Sequence, residues 1–249
     1  MQPQRFNNQK ITIMENALEE EKTIVIDEER QAVVGELMRN VYLWMTGGLA
    51  LTGVVAWIVA NSQELINLIF GNQIIFWGLL IAELLLVIVL SAALDKMSFL
   101  TAAIMFVIYS VMNGATLSSL FLVYELSSIA EIFFITAGSF ALLAIIGSVT
   151  KKDLSRMGTF LIFALFGLII ASIIGMVMGR PESIWISALG VLIFAGLTVY
   201  DAQRIRLMML NQETVNEGNM KLALLGALTL YLDFINLLLK LLSLFGKRK

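Results

Sequence analysis

The chain has 249 residues, of which 59% are apolar and only 14% charged, with a mean hydropathy of +0.86. Soluble domains carry about 25% charge, so this composition cannot clothe a water-facing surface, and a soluble enzyme, a coiled coil, collagen and a disordered chain are all excluded. A net charge of −2 gives no basic field for nucleic acid, and the absence of cysteine and histidine removes disulfides, thiolate chemistry, the usual proton shuttle and the commonest metal ligand.

Residues 1–40 stand apart. They hold five Lys and Arg (Arg5, Lys10, Lys22, Arg30, Arg39) against eight Asp and Glu. They lack the apolar segment and cleavage site of a secretory signal, and are too acidic for a mitochondrial transit peptide. This stretch reads as a solvated cytoplasmic tail, in which Glu15–Arg39 has the makings of an amphipathic surface helix. Residues 41–249 read as one membrane domain. There the charges punctuate long apolar runs, each near the ~20 residues that cross a ~30 Å hydrocarbon core. In chain order the runs are Val41–Ala60, Leu65–Leu94 (broken only by Glu83), Met97–Tyr124, Ile132–Thr150, Met157–Gly179, Ser183–Tyr200 and Leu222–Gly246. No run alternates like a strand, and lipid tolerates no open sheet edge. The expectation is an all-α integral membrane protein with seven transmembrane helices. Prolines occur only at Pro3 and Pro181, so no span is proline-kinked; Pro181 falls in the polar turn Gly179-Arg180-Pro181-Glu182.

Orientation follows from the basic residues beside the spans. Lys151, Lys152 and Arg156 follow span four, and Arg204, Arg206 and Lys221 flank the six–seven loop. The one–two and three–four loops carry no Lys or Arg. Basic loops belong in the cytoplasm, which puts the amino terminus there as well. Seven crossings then place Lys247-Arg248-Lys249 outside, against the same rule. Either span seven is unusual, central or incompletely inserted, or its end charges are tolerated.

An ionisable side chain at mid-span costs roughly 2.5–3.5 kcal/mol on insertion scales. Four need a reason: Glu83, Asp201, Asp233 and Lys240. Thr229, Asp233, Asn236 and Lys240 recur at helical spacing, which puts them on one face of span seven. A polar stripe inside a membrane must face protein or water. At 1.5 Å per residue, Asp201 lies about 14 Å inward from Leu210 and Asp233 about 17 Å from Leu222. Adjacent antiparallel spans then bring both carboxylates to similar depth. Like charges ~4 Å apart repel by about 4 kcal/mol at an effective dielectric near 20, so the two cannot both ionise freely and would titrate as a pair near neutral pH. A singly protonated pair latches two helices; a doubly ionised pair repels itself and attracts a cation. Glu83 and Asn236 could add the oxygens that Ca²⁺ requires, making Asp201, Asp233 and Glu83 the candidate ligands, with Thr229 and Lys240 along the same path. The inert alternatives are Asp201 paired with Arg204 or Arg206, Glu83 paired with Lys240, and Lys240 snorkelling to an interface. Asn113-Gly114-Ala115-Thr116, Ser118-Ser119 and Thr46-Gly47-Gly48 read as small residues for close helix packing.

Tyr200-Asp201-Ala202-Gln203-Arg204-Ile205 resembles the Tyr-Asp-Thr-Gln signature that ends span six of the Bax inhibitor-1 family, also called the transmembrane Bax inhibitor motif family. Leu230-Tyr231-Leu232-Asp233-Phe234-Ile235-Asn236-Leu237 resembles that family's span-seven signature, and the short basic end Gly246-Lys247-Arg248-Lys249 also fits. The resemblance covers residues 35–249 and is strongest to the bacterial branch. It implies six helices surrounding a central seventh, a di-aspartyl pH sensor carried onto Asp201 and Asp233, and a pH-dependent Ca²⁺ leak in a bacterial inner membrane. Glu83 matches the family's acidic residue on span two. Bacterial relatives often carry an Arg near the end of span two that latches the pair. The stretch Ser91-Ala92-Ala93-Leu94-Asp95-Lys96-Met97 has none, and Lys96 falls a turn too late.

Other readings compete. An intramembrane aspartyl protease also places Tyr-Asp on one span and Asp on the next. That class wants Gly-x-Gly-Asp and a later Pro-Ala-Leu, however, and here Tyr231-Leu232 precedes Asp233 with no proline beyond Pro181. A retinal protein would need its lysine deeper than Lys240. A membrane regulator that binds other membrane proteins without transporting, and a proton-coupled cation exchanger, both stay open. The expectation is a monomeric, non-enzymatic protein without a cofactor, whose partners are the bilayer, Ca²⁺ and protons.

Overall fold

In lipid the backbone has no solvent to bond, so each apolar run closes its own hydrogen bonds as helix. The computed structural model describes the backbone of residues 3–179 and 183–249, and the side chains of residues 28–175, 177–179 and 183–249. The centre of the Pro181 turn and the side chains of most of the tail lie outside the described residues. The helices are α1 (Pro3–Ala60), α2 (Gln63–Phe70), α3 (Gln73–Ala92), α4 (Phe99–Leu117), α5 (Ser119–Val123), α6 (Leu126–Val149), α7 (Ser155–Val177), α8 (Ile184–Leu210) and α9 (Glu217–Phe245). Among the described residues seven helical segments are long and apolar enough to cross a membrane. They are carried by α1, α3, α4 with α5, α6, α7, α8 and α9, so this is an all-helical, seven-span protein.

Two boundaries differ from the apolar runs. The run Leu65–Leu94 is two helices, because hydropathy does not see the polar stop inside it. Gly71 ends α2, and the Asn72 side chain then accepts from the N–H groups of Ile74 (3.0 Å) and Ile75 (3.4 Å) to start α3. The membrane-crossing part is therefore Gln73–Ala92. At the other end of the chain, α9 begins at Glu217, five residues before the apolar run, where the Asn216 side chain accepts from the N–H of Asn219 at 2.9 Å. The boundary drawn at residue 40 falls inside a continuous helix. Among the described residues the buried face of α1 starts at Val34 and repeats at Leu37, Val41 and Met45.

Side-chain bonds fix which loops share an end. The Gln203 amide of α8 donates to the carbonyls of Thr150 (3.2 Å) and Lys152 (2.7 Å) and accepts from the Leu154 N–H (3.2 Å), so the four–five loop sits at the six–seven end. In that loop, bonds from the Ser155 hydroxyl and N–H hold the Asp153 carboxyl below the usual carboxylate range. Glu217 accepts from the Phe99 N–H at 2.8 Å and Lys221 donates to the Met97 carbonyl at 3.0 Å, which brings the two–three loop to the same end. At the opposite end the Glu125 N–H bonds the Lys247 carbonyl, and the Lys249 N–H bonds the Val123 carbonyl, both at 3.0 Å. The carboxyl terminus thus lies beside the three–four loop, as an odd number of full crossings requires, and α9 is not a partial insertion. Its basic residues have local partners: Lys249 Nζ donates to the Phe121 carbonyl at 2.7 Å, and Arg248 lies 6.0 Å over the Tyr124 ring.

Two thirds of the membrane-crossing window of α9 is buried (67%), against 11–39% for the other six. It packs against α8, α1, α6 and α4, while α3 leans on α4 and α7 on α8. Glycine permits the closest approaches. A Cβ at Gly114 of α4 would meet the Thr52 carbonyl oxygen at 2.7 Å, and one at Gly147 of α6 would run into the Val199 carbonyl of α8. A leucine at either position would push the helices apart.

Candidate functional site

Successive residues of a helix point about 100° apart, and the two signature stretches use this to address several neighbours at once. On α8, Tyr200 lays its ring against Gly158 of α7, where a side chain would not fit. Asp201 turns to α9, and Gln203 holds the four–five loop. On α9, Tyr231 turns to α1 and α4, Asp233 to α8, and Phe234 to α6. Phe234 packs edge-on against Phe140 at 5.5 Å and Phe133 at 5.6 Å.

Asp201 and Asp233 are 9% and 6% exposed, and their carboxyls lie beside each other where α8 packs on α9. Ionised carboxylates are acceptors only. Two of them face to face can bond only if one holds a proton. Asp233 Oδ2 is the buried side-chain oxygen or nitrogen among the described residues that has no hydrogen-bond partner. Such an orphan demands an explanation, and a titratable proton supplies one. Arg204, three residues along α8 and exposed, attracts the Asp201 charge through space. Lys96 forms no ion pair with either aspartate among the described residues.

Glu83 is not brought to this pair. Its carboxylate accepts from Asn113 Nδ2 at 3.2 Å and from Thr116 Oγ1 at 2.5 Å, both on α4. Both oxygens are thereby occupied, and neither is bonded to Lys240. Asn113 Oδ1 in turn accepts from the Tyr231 hydroxyl at 2.9 Å. Thr52 of α1 lies 2.7 Å from that hydroxyl and 2.9 Å from the Ser110 carbonyl. Phe106 and Tyr109 close over the Tyr231 ring edge-on at 5.9 and 5.6 Å. Asn113 and Thr116, read from sequence as packing residues, are thus the donors to Glu83. Sequence alone does not single out Thr52 and Tyr231. The available signal was spacing: Tyr231 precedes Asp233 by two, which turns it away from α8. Among the described residues no three Asp or Glu side chains converge as a metal site, so the Asp201–Asp233–Glu83 ligand set is not assembled. Two further polar residues of the α9 stripe, Thr229 and Asn236, bond within their own helix. Thr229 donates to the Leu225 carbonyl (3.1 Å) and Asn236 to that of Leu232 (2.8 Å). The aliphatic stem of Lys240 lies against Gly190 of α8.

Comparison with known proteins gives the family. A family model described as inhibitor of apoptosis-promoting Bax1 matches residues 34–249, which contain both aspartates. The inner membrane protein YbhL of Escherichia coli K12 is 46% identical over 214 residues, covering 85% of this chain and 92% of that protein. A protein of Borreliella burgdorferi is 39% identical over 231 residues, covering 91% of this chain and 99% of its own. A membrane protein of Streptococcus pyogenes serotype M1 is 34% identical over 226 residues, with 90% and 97% covered.

Proposed function

The chain belongs to the family described as inhibitor of apoptosis-promoting Bax1, and from that membership we propose a cation leak with Ca²⁺ as cargo and the Asp201–Asp233 pair as its proton-operated gate. With one proton shared, the pair is a hydrogen-bonded latch between α8 and α9. When that proton leaves, two like charges face each other in a dry interior and repel by about 4 kcal/mol at ~4 Å and an effective dielectric near 20. The latch then opens and the bared carboxylates draw a cation, so flux rises with pH. Ca²⁺ takes about six to eight oxygens, and two carboxylates supply too few to hold it, so the ion passes with part of its water. Glu83, bound to Asn113 and Thr116, anchors α3 to α4 in this reading. The amino terminus and the Lys- and Arg-bearing loops face the cytoplasm of a bacterial cell. The chain acts as a monomer, with α9 as the helix around which the others are arranged.

The observation that carries this reading is the contact of the two buried carboxyls, with Asp233 Oδ2 left without a partner. The test is Ca²⁺ entry into liposomes holding the purified chain, across the neutral pH range, for the native protein, Asp201→Asn and Asp233→Asn. Native flux is expected to rise with pH, and either variant to lose that dependence. An unchanged pH profile in Asp233→Asn would refute the gate. A requirement for a counter-gradient would make the protein an exchanger, and the absence of flux at every pH would make it a regulator.

A further inference from the structure

A crevice of about 910 Å³ runs between α1 and α6. Met45 and Leu49 wall it on one side, Ala141 and Ala144 on the other, and Phe234 of α9 backs it. Ala50 and Ala141, on its opposite lips, are exposed. They lie inside segments that cross the membrane, so the crevice opens sideways into hydrocarbon and not into water. Its volume falls within the about 300–1,000 Å³ of small-molecule pockets. An apolar hollow of this kind does not hold water. Left empty, its lining forfeits dispersion contacts on one side. An acyl chain from the surrounding bilayer removes that deficit without giving up any hydration.

One mouth of the crevice is not apolar. Arg206 of α8 and Gln31 of α1 line it. Arg206 lies three residues beyond Gln203, whose amide bonds the Thr150 and Lys152 carbonyls just past the end of α6. That is headgroup depth. Among the described residues Arg206 forms no ion pair, the ion pair described there being Arg39 with Glu36. A guanidinium offers a planar fork of donors matched to phosphate. Tyr42, whose hydroxyl lies 3.4 Å from Ser148 Oγ across the same end, is suited to the interface as well.

We infer that this crevice binds one anionic phospholipid from the bilayer, with acyl chain between α1 and α6 and phosphate against Arg206. The claim is independent of ion conduction, since occupancy is read as bound lipid.

The test uses the full chain reconstituted in vesicles of equal phosphatidylglycerol and phosphatidylcholine, extracted in mild detergent, with retained lipid counted by native mass spectrometry. The native chain is expected to retain phosphatidylglycerol in preference. Arg206→Gln should lower the ratio of phosphatidylglycerol to phosphatidylcholine by about fivefold, and Arg206→Lys should restore part of it. Ala141→Phe, which fills the crevice from α6, should reduce both lipids, and Ala50→Phe should do the same from α1. Both positions are exposed, and a thermal melt of each variant confirms that it is folded. Equal retention of the two lipids, an unchanged ratio in Arg206→Gln, or undiminished lipid in both filled variants would overturn the inference. So would a second copy of the chain cross-linked into the crevice in place of lipid.

Discussion

Two faces of α9, two residues apart in sequence, treat burial in opposite ways. Toward α1 and α4, Tyr231, Asn113, Thr116, Thr52 and Glu83 form a connected cluster in which every buried polar atom has a partner. Toward α8, two acceptors meet and one oxygen is left over. Both faces are buried, so the difference is one of donors. A cluster supplied with hydroxyl and amide protons has no reason to exchange any with the medium. A pair of carboxyls must take a proton from outside the chain, and what it takes it can return. In the proposed reading, polar groups on the first face fasten helices and those on the second answer to pH.

The sharpest break in that comparison comes from removing charge on one face and a hydroxyl on the other. Asp233→Asn should flatten a pH dependence of Ca²⁺ flux that in the native chain reaches up to about tenfold per pH unit below its midpoint. Tyr231→Phe should leave the shape of the profile alone. If Tyr231→Phe moves the midpoint as far as Asp233→Asn does, the two faces are one device and the distinction fails. Next in size, Gly147→Leu should lower stability by about 1–3 kcal/mol through overpacking against the Val199 carbonyl, measured as a thermal melt in detergent. Because α6 and α8 separate, it should disturb the Asp201 side more than the Tyr231 side. Smaller again, Tyr231→Phe strands Asn113 Oδ1 and should lower stability by about 0.6–1.7 kcal/mol. Glu83→Gln should act on the same scale. One acceptor for Asn113 or Thr116 becomes a donor, and the pH profile is expected to stay as in the native chain.

The difference between the faces also explains what could be read from the chain itself. Seven spans follow from hydropathy because lipid leaves no alternative to helix. Asp233 stands out because a charge inside a long apolar run is conspicuous, Asp201 because it closes such a run, and counting along the helices puts them at similar depth. The fastening cluster is built from Thr52, Asn113, Thr116 and Tyr231, residue types common in any membrane helix. Only the packing of α1, α4 and α9 reveals that they meet. Glu83 shows the limit most plainly. Its charge marks it as costly to bury, but which partner offsets that cost depends on how α3 is rotated. That rotation is fixed after the Gly71-Asn72 stop, which an average over apolar runs does not register.

A third polar region, at the carboxyl terminus, tests whether burial is what makes the other two matter. Lys247, Arg248 and Lys249 lie back along the three–four loop as an isolated antiparallel bridge between Arg248 and Tyr124. Two backbone bonds and the Lys249 bond to the Phe121 carbonyl hold them there. These groups are as well partnered as those around Tyr231, yet residues 247–249 are exposed, and water can replace each lost partner. Deleting the last three residues should therefore lower stability by no more than about 0.5–1.5 kcal/mol and leave the flux profile unchanged. The local trace should still be visible, because the Glu125 amide at the start of α6 loses its acceptor. Hydrogen exchange at Glu125 should quicken while the amides of Tyr231 and Asp233 keep their native rates. If the deletion instead quickens exchange in the middle of α9, the tail is part of the bundle's core mechanics, and burial alone does not decide which polar contacts count.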